Sequence, residues 1–239
     1  MKLLLIRHGE PGIEDALTEK GKREAVLLAS RLAVMDITEY FCSPLKRALE
    51  TAEPTLNRAG REATVCPWLQ EFAIPIRQPK PEIRPVPWNW LPEDWLPEPR
   101  FFSSDAWMEH EAFREAGIGE AYRNVVSSFD ALLTEHGYRR DGLFYRAERP
   151  NTDTLAFFTH FGLSCVLLSH LFHCSPMVLW HSLVMAPSSV TTLCTEEREK
   201  GIAVFRASSI GDISHLVSAG EAPSFAARFR ETYGQKETE

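Results

Sequence analysis

The 239-residue sequence predicts an α/β fold: a three-layer, open, mostly parallel sheet with helices on both faces and an inserted cap region. The first observation is a set of short apolar runs, such as residues 3–6 and 155–159, which are typical of strands buried on both faces of a parallel sheet. The second is that segments with helical spacing of apolar residues alternate with these runs. The third is a stretch rich in proline and tryptophan, which begins after Phe72 and interrupts the alternation.

The first part of the chain is predicted to alternate between strands and helices. The strands are expected at residues 3–6, 40–42 and 64–66, and the helices at residues 18–34 and 44–58. Thr18 is suited to cap the first helix, with Glu19 in the first turn, where the helix dipole favours an acidic group. Pro44 is expected at the first position of the second helix, and Gly60 just beyond its end.

The second part continues the pattern after the interruption. It is predicted to contain helices at residues 120–136 and 162–172 and strands at residues 155–159, 190–195 and 202–207. Residues 75–99 are too rich in proline for a sheet or a long helix and too aromatic for a disordered linker. We therefore predict a single domain over residues 1–239, with an ordered insertion or cap at about residues 73–117. The charged tail after Pro223 is expected to fray.

Composition excludes several classes of partner. The formal net charge of −7 argues against a nucleic-acid binder that relies on phosphate contacts. The apolar run near the N-terminus is too short for a signal peptide, and no stretch approaches the roughly 20 apolar residues that span a bilayer. The five cysteines are scattered and form no CxxC pair, as expected for reduced thiols. We expect a cytoplasmic protein without a nucleic-acid or membrane partner; oligomeric state is left open.

Two histidines and two arginines are predicted to meet in one pocket. Arg7 and His8 follow the first strand directly, and His160 follows the strand at residues 155–159. Ligand sites in open α/β sheets form beyond the carboxyl ends of the strands, so both histidines are expected to face the same pocket. Arg47 lies one turn into the helix after the second strand and is expected at the same rim.

These residue types are suited to phosphoryl transfer. Guanidinium groups bind phosphate oxygens through paired hydrogen bonds, and a neutral imidazole is a competent nucleophile near pH 7. Phosphoryl transfer depends mainly on positioning and on neutralisation of the equatorial oxygens, which these groups can supply without a metal. A carboxylic acid with a raised pKa would complete the set by protonating the leaving group.

Five segments, in order and spacing, resemble the motifs of the histidine phosphatase superfamily, also called the phosphoglycerate-mutase-like family. They are Arg7-His8-Gly9-Glu10, Leu17-Thr18-Glu19-Lys20-Gly21, Ser43-Pro44-Leu45-Lys46-Arg47-Ala48, Leu69-Gln70-Glu71 and Thr159-His160-Phe161-Gly162. Gly119-Glu120 is similar to a pair that begins a cap helix in the family. The resemblance covers roughly residues 1–72 and 117–208.

The resemblance implies a role for each matching residue. His8 would become phosphohistidine, and Arg7, Arg47 and His160 would hold the phosphoryl group. Glu71 would protonate the leaving group and then activate the hydrolytic water. The family implies no metal and no cofactor, and the partner would be a small phosphorylated molecule.

Other residues leave alternatives open. Glu14 and Glu120 are rivals of Glu71 for the acid. His170 and His173 have a spacing that would suit a metal, but partner ligands are lacking, so we predict boundary positions. The tryptophans are expected to form a lid or a packed core, and an aromatic lid would favour a substrate with an apolar or ring-shaped body.

Two departures from the family motifs concern the substrate. Many members have an Asn after the first motif that touches the substrate phosphate, whereas residues 10–15 here read EPGIED. Phe161 replaces a residue that is often small. We therefore predict a metal-independent phosphomonoester hydrolase that acts through phosphohistidine on a small phosphorylated metabolite. The alternatives are a phosphoglycerate-type mutase and an inactive member that binds a partner through its Trp-rich insertion.

Overall fold

The structure is a computed structural model that describes residues 1–224, 226 and 232. The tail predicted to fray after Pro223 therefore lies almost wholly outside the described residues. The strands are β1 (Lys2–Arg7), β2 (Glu39–Cys42), β3 (Thr64–Val65), β4 (Tyr138–Asp141), β5 (Phe144–Ala147), β6 (Thr154–Thr159), β7 (Val190–Glu199) and β8 (Ile202–Asp212). The α-helices are α1 (Glu19–Leu32), α2 (Lys46–Ala59), α3 (Pro92–Trp95), α4 (Glu111–Glu115), α5 (Ile118–Glu135), α6 (Phe161–Phe172), α7 (Pro176–Ser182) and α8 (Ser214–Ala219).

The strands form one eight-stranded sheet in the order β3-β2-β6-β1-β7-β8-β5-β4. Strands β3, β2, β6 and β1 are parallel, and the sheet continues from β1 through antiparallel pairings. The parallel part brings the carboxyl ends of β1, β2 and β6 to one edge. The predicted site residues follow these strands, so the topology places them at a common edge.

Side chains of β1 alternate between two apolar cores, because successive residues of a strand point to opposite faces. Leu3 and Leu5 belong to the core formed with α5, α6 and residues of the 73–117 segment. Leu4 and Ile6 belong to the core formed with α1 and α2, which includes Leu28. Each such buried side chain stabilises the fold by about 1.5–3 kcal/mol. The predicted α/β class with helices on both faces is confirmed.

Local sequence correctly marked the start of α1 and the end of α2, but not the start of α2. The Thr18 hydroxyl accepts a hydrogen bond from the Gly21 N–H at 3.0 Å, so Thr18 caps α1 as predicted. Gly60 ends α2 with a left-handed φ of 62°. The expectation that Pro44 opens this helix is wrong: α2 begins at Lys46. The Ser43 hydroxyl accepts from the Leu45 N–H and Leu45 is extended, so the helix starts two residues later than expected.

Several elements have no counterpart in the sequence prediction, among them the β4–β5 hairpin and the short helices α7 and α8. The β4–β5 hairpin is short and rich in charged residues, and it turns at Gly142, whose φ is 60°. It lacks the apolar run by which the central strands are recognised. Helix α7 is only 7 residues long, too short for a periodic pattern to identify it.

The segment at residues 73–117 contains no strand; it consists of α3, α4, tight 3-10 turns and extended chain. Most of its aromatic side chains are buried, and several of them pack edge to face. Trp107 is fully buried and lies 5.9 Å from the Trp180 ring of α7 and 5.3 Å from the Tyr122 ring of α5. The segment therefore shares a core with the helices on that face of the sheet. Its assignment as an insertion within a single domain stays a prediction.

Candidate active site

His8 lies at the carboxyl end of β1 and is almost completely buried. Its backbone N–H donates to the Thr159 carbonyl at 3.0 Å, which fixes it beside the end of β6. Its Nδ1 lies 2.7 Å from the Gly9 carbonyl. Since a carbonyl only accepts, Nδ1 holds the proton and Nε2 keeps a free lone pair. Burial, with the charges of Arg7 and Arg47, holds the pKa of His8 well below its usual 6.5, so the ring is neutral near pH 7.

His160 faces His8 from the neighbouring strand. It follows β6 directly and is fully buried, with its ring centroid 5.1 Å from that of His8. Its Nε2 is 2.7 Å from the Ser43 hydroxyl, which follows β2. Its Nδ1 has no hydrogen-bond partner among the described residues. Burial, followed by the charges of the neighbouring histidine and arginines, lowers the pKa of His160 far below its usual value.

Arg7 is the more deeply buried of the two predicted arginines. Its Nη1 donates to the Met185 carbonyl at 2.5 Å, and its guanidinium lies 6.0 Å from the centre of the Phe161 ring. Its Nε has no partner in the part of the chain that the structure describes. Burial lowers the pKa of Arg7 to about 10, which still leaves it cationic at neutral pH.

Arg47 projects from the first turn of α2 and is largely buried. Its Nη1 forms an ion pair with Asp15, which also accepts a hydrogen bond from the Lys46 backbone N–H at 2.9 Å. Burial lowers the pKa of Arg47; the Glu71 charge opposes this change and the Arg84 charge adds to it. Both arginines therefore bring positive charge to the histidine pair.

Glu71 is fixed against the first turn of α6. Its Oε1 accepts from the Phe72 N–H at 2.9 Å and from the Leu163 N–H at 3.0 Å. Burial raises the pKa of Glu71 above its usual range, despite the opposing effects of Arg7 and of both backbone hydrogen bonds. A carboxyl group with a raised pKa is suited to donate a proton near neutral pH.

The two alternative candidates for the acid do not pair with the predicted site residues. Glu14 and Glu120 are both exposed, and neither forms a hydrogen bond or ion pair with the five predicted site residues. His170 lies in the last turn of α6 and pairs with Asp130 at 2.9 Å. Within the described residues there is no group of three or more His, Cys, Asp and Glu side chains arranged to hold a metal ion.

Sequence reasoning missed Asp15, which binds Arg47. Glu14 and Asp15 have left-handed φ values of 56° and 63°, unusual for residues other than glycine. This backbone turns the loop after β1 so that the Asp15 carboxylate meets α2. The missing Asn in residues 10–15 was the available signal that this loop is unusual.

Two further residues hold the loop that follows His8, and the sequence prediction indicated a role for neither of them. The Thr51 hydroxyl of α2 accepts from the Gly9 N–H at 2.9 Å. Glu24 of α1 is fully buried and accepts from the Glu10 N–H at 2.8 Å. A glutamate among the apolar positions of α1 was the sequence signal for this second contact.

Comparison with known proteins agrees with the fold and the motifs. The model of the histidine phosphatase superfamily (branch 1) matches residues 3–207, and the chain belongs to this family. It is 41% identical over 67 residues to a probable phosphatase of Schizosaccharomyces pombe, and 41% identical over 82 residues to a 2,3-bisphosphoglycerate-dependent phosphoglycerate mutase of Thermoplasma acidophilum. These alignments cover 24% and 30% of this chain, and only 32% and 41% of the two relatives.

Solved structures share the architecture at low sequence identity. A phosphoserine phosphatase mutant of Entamoeba histolytica in complex with phosphoserine superposes with a TM-score of 0.59 at 19% identity, over 90% of this chain and 98% of that one. A mycobacterial glucosyl-3-phosphoglycerate phosphatase in complex with VO3 gives a TM-score of 0.53 at 22% identity, over 87% and 98% of the two chains. These likenesses support the fold.

Among the residues that the structure describes, none of the helices combines the length and the apolar character that crossing a bilayer requires.

Proposed function

We propose that the protein is a metal-independent phosphomonoester hydrolase that acts through phosphohistidine on a small phosphorylated molecule. The observation that supports this most is the neutral, buried His8, which keeps a free lone pair on Nε2 and lies beside the His160 ring and the charges of Arg7 and Arg47. The proposal includes no cofactor and no nucleic-acid or membrane partner. A cytoplasmic location is supported by the five cysteines, all of which are free.

The proposed reaction has two displacements at phosphorus. In the first, Nε2 of His8 forms a bond to phosphorus while the ester P–O bond breaks, and Glu71 gives its proton to the leaving oxygen. In the second, the Glu71 carboxylate takes a proton from water, and the water oxygen bonds to phosphorus as the P–N bond breaks. Arg7, Arg47 and His160 stabilise the equatorial oxygens in both steps. Inorganic phosphate leaves and His8 is neutral again.

Removal of the nucleophile tests the proposal. His8→Ala should lower the rate of p-nitrophenyl phosphate hydrolysis in EDTA by roughly 10³-fold or more, because no covalent intermediate can form. The exposed His173, at φ 57°, provides a control: His173→Asn keeps a residue that tolerates left-handed backbone and should retain full activity. Equal activities of the wild type and His8→Ala would contradict the proposal.

A comparison of leaving groups tests whether Glu71 is the proton donor. Glu71→Gln should slow the hydrolysis of alkyl phosphates at least about tenfold more than that of aryl phosphates, because a phenolate departs with little help from an acid. Glu120→Gln is the matched control, since Glu120 is exposed on α5 and was a rival for this role. Equal losses on both kinds of ester in Glu71→Gln would assign the proton to another group.

A phosphoglycerate-type mutase is the second candidate, and the similarity to the Thermoplasma acidophilum mutase favours it. Such an enzyme must protect phosphohistidine from water and return the phosphoryl group to a bound acid. The test is isomerisation of 3-phosphoglycerate with and without the bisphosphate primer. If no isomer forms under either condition while phosphate is released from simple esters, the result supports the hydrolase and excludes the mutase.

A further inference from the structure

An aromatic surface from the 73–117 segment lies beside the proposed acid. Gly162 in the first turn of α6 has no Cβ, and the Trp88 ring takes that space: a Cβ there would stand 2.3 Å from Cζ3 of Trp88 and 2.7 Å from Oε1 of Glu71. The ring and the carboxylate therefore both lie against Gly162. Trp88 also packs edge to face on Phe161, with ring centroids 6.0 Å apart, and both rings are partly exposed. They present an apolar surface next to the group that would protonate the leaving oxygen.

Arg84 lies four residues before Trp88, in a segment whose backbone is fixed by hydrogen bonds. Its carbonyl accepts from the Val86 N–H at 2.8 Å, and the Val86 carbonyl accepts from the buried Gln78 side chain at 2.8 Å. The carbonyl of Pro85, the residue after Arg84, accepts from the Ile76 N–H at 3.1 Å. The backbone that presents Arg84 and Trp88 is therefore held by its own hydrogen bonds.

The Arg84 guanidinium has no ion-pair or hydrogen-bond partner among the described residues, and the side chain is exposed. It nevertheless lies close enough to Arg47 for its charge to help lower the pKa of that residue. Two positive charges near each other repel, and an anion bound between them offsets this repulsion. Arg47 already pairs with Asp15, so Arg84 is the cation left without a counter-charge at this edge of the site.

We propose that Trp88, Phe161 and Arg84 form a leaving-group subsite for phosphate esters whose alcohol has a planar or apolar body and a second acidic group. The inference rests on the proposed function, since it places the leaving group on the Glu71 side of the phosphate. The rings pack against the body of the alcohol, and the guanidinium binds the acidic group through paired hydrogen bonds. Carboxylate and phosphate offer the same oxygen geometry to Arg84.

Binding to the His8→Ala protein tests the subsite without turnover. The ligands are phenyl phosphate, 3-carboxyphenyl phosphate and 1,3-phenylene bisphosphate, with affinities measured by calorimetry at fixed ionic strength. We expect the acidic esters to bind about tenfold more tightly than phenyl phosphate, and Arg84→Gln in the same background to remove this preference. Methyl phosphate, which has no ring, is the reference ligand for the aromatic surface: Trp88→Ala should weaken the binding of phenyl phosphate more than that of methyl phosphate.

Arg77→Gln is the control for net charge. Arg77 belongs to the same segment, is exposed and pairs with Glu115 at 3.5 Å, so its loss should leave the tenfold preference intact. A preference for only one acidic ester would identify carboxylate or phosphate as the group that Arg84 binds. The subsite is refuted if all three esters bind equally, if none binds, or if the preference survives Arg84→Gln. Hydrolysis of phenyl phosphate by the wild type reports separately on the proposed function.

Discussion

Glu24 in α1 is fully buried, and only one of its carboxylate oxygens has a partner. Oε2 accepts from the Glu10 N–H, whereas Oε1 makes no hydrogen bond among the described residues. Burial raises the pKa of Glu24 from its usual 4.5 to about 7; the hydrogen bond from the Glu10 N–H and the Lys20 charge oppose this change, and the Glu10 and Glu221 charges add to it. The ionisation state of the Glu24 carboxyl therefore affects the contact between α1 and the loop that follows His8.

The raised pKa of Glu24 predicts a pH-dependent stability. The unfolded chain releases this proton near pH 4.5 and the folded protein near pH 7, so stability falls as pH rises through this interval. The loss amounts to roughly 3 kcal/mol at most. Glu24→Gln stays neutral, so its free energy of unfolding should exceed that of the wild type by an increasing amount between pH 5 and pH 8. Urea unfolding at several pH values measures this.

The control for Glu24→Gln is Glu53→Gln, since Glu53 is exposed on α2. Its free energy of unfolding should follow that of the wild type at every pH. Parallel curves for Glu24→Gln and the wild type would show that Glu24 ionises normally.

At the scale of elements, α1 packs backbone to backbone on the loop after β1. A Cβ on Gly21 would stand 2.4 Å from the Glu10 carbonyl oxygen, and a Cβ on Gly9 would stand 2.6 Å from the Gly21 carbonyl oxygen. Backbone atoms cannot yield as the end of a flexible side chain can. The two glycines therefore determine how closely the helix approaches the residue next to His8.

Gly21→Ala should separate α1 from this loop. We expect a loss of about 1–3 kcal/mol in stability from overpacking, and a fall of about 10²-fold in phosphatase activity because His8 is displaced. Denaturant unfolding and steady-state hydrolysis measure the two effects. Gly119→Ala in α5 is the matched control: its nearest neighbours are the flexible side chains of Arg123 and Met108, so it should retain stability and activity. Wild-type activity in Gly21→Ala would refute this role for the contact.

At the scale of the whole molecule, the 73–117 segment and the helices share one aromatic core. Trp107 contacts α5 through Tyr122 and α7 through Trp180. Phe101 and Phe113 of the segment are also fully buried in this cluster. Because the core is continuous, we expect the segment to unfold together with the sheet.

Trp107→Ala should lower the free energy of unfolding of the whole protein by about 3–5 kcal/mol, because it leaves a large cavity in the shared core. Unfolding followed by circular dichroism and by tryptophan fluorescence should remain one coincident transition. Phe102→Ala is the control, since Phe102 is 49% exposed, and its effect should be below about 1 kcal/mol. Two separate transitions in the wild type would show that the segment is an independent unit.

Most of the central sheet was predictable, because strands buried on both faces must be apolar along their whole length. β1 and β6 have this pattern, and Thr18 and Gly60 mark helix ends through local hydrogen bonding and backbone geometry. The β4–β5 hairpin was not predictable in this way, because strands near a sheet edge tolerate charged residues. The delayed start of α2 depended on a hydrogen bond to Ser43 that the sequence pattern does not reveal.

The sequence by itself predicted that the two histidines and the two arginines lie at one edge of the sheet, because they follow the ends of its strands or lie one helical turn beyond. It indicated Glu71 through the resemblance to a family motif, and the roles of all five residues stay predictions. Only the tertiary structure decided that Asp15 binds Arg47, and that Trp88 lies on Gly162 beside Glu71. Each contact joins a helix to a part of the chain that lacks long regular secondary structure. Their paths depend on how buried aromatic rings pack together and on left-handed backbone in the loop after β1, neither of which leaves a periodic signal in the sequence.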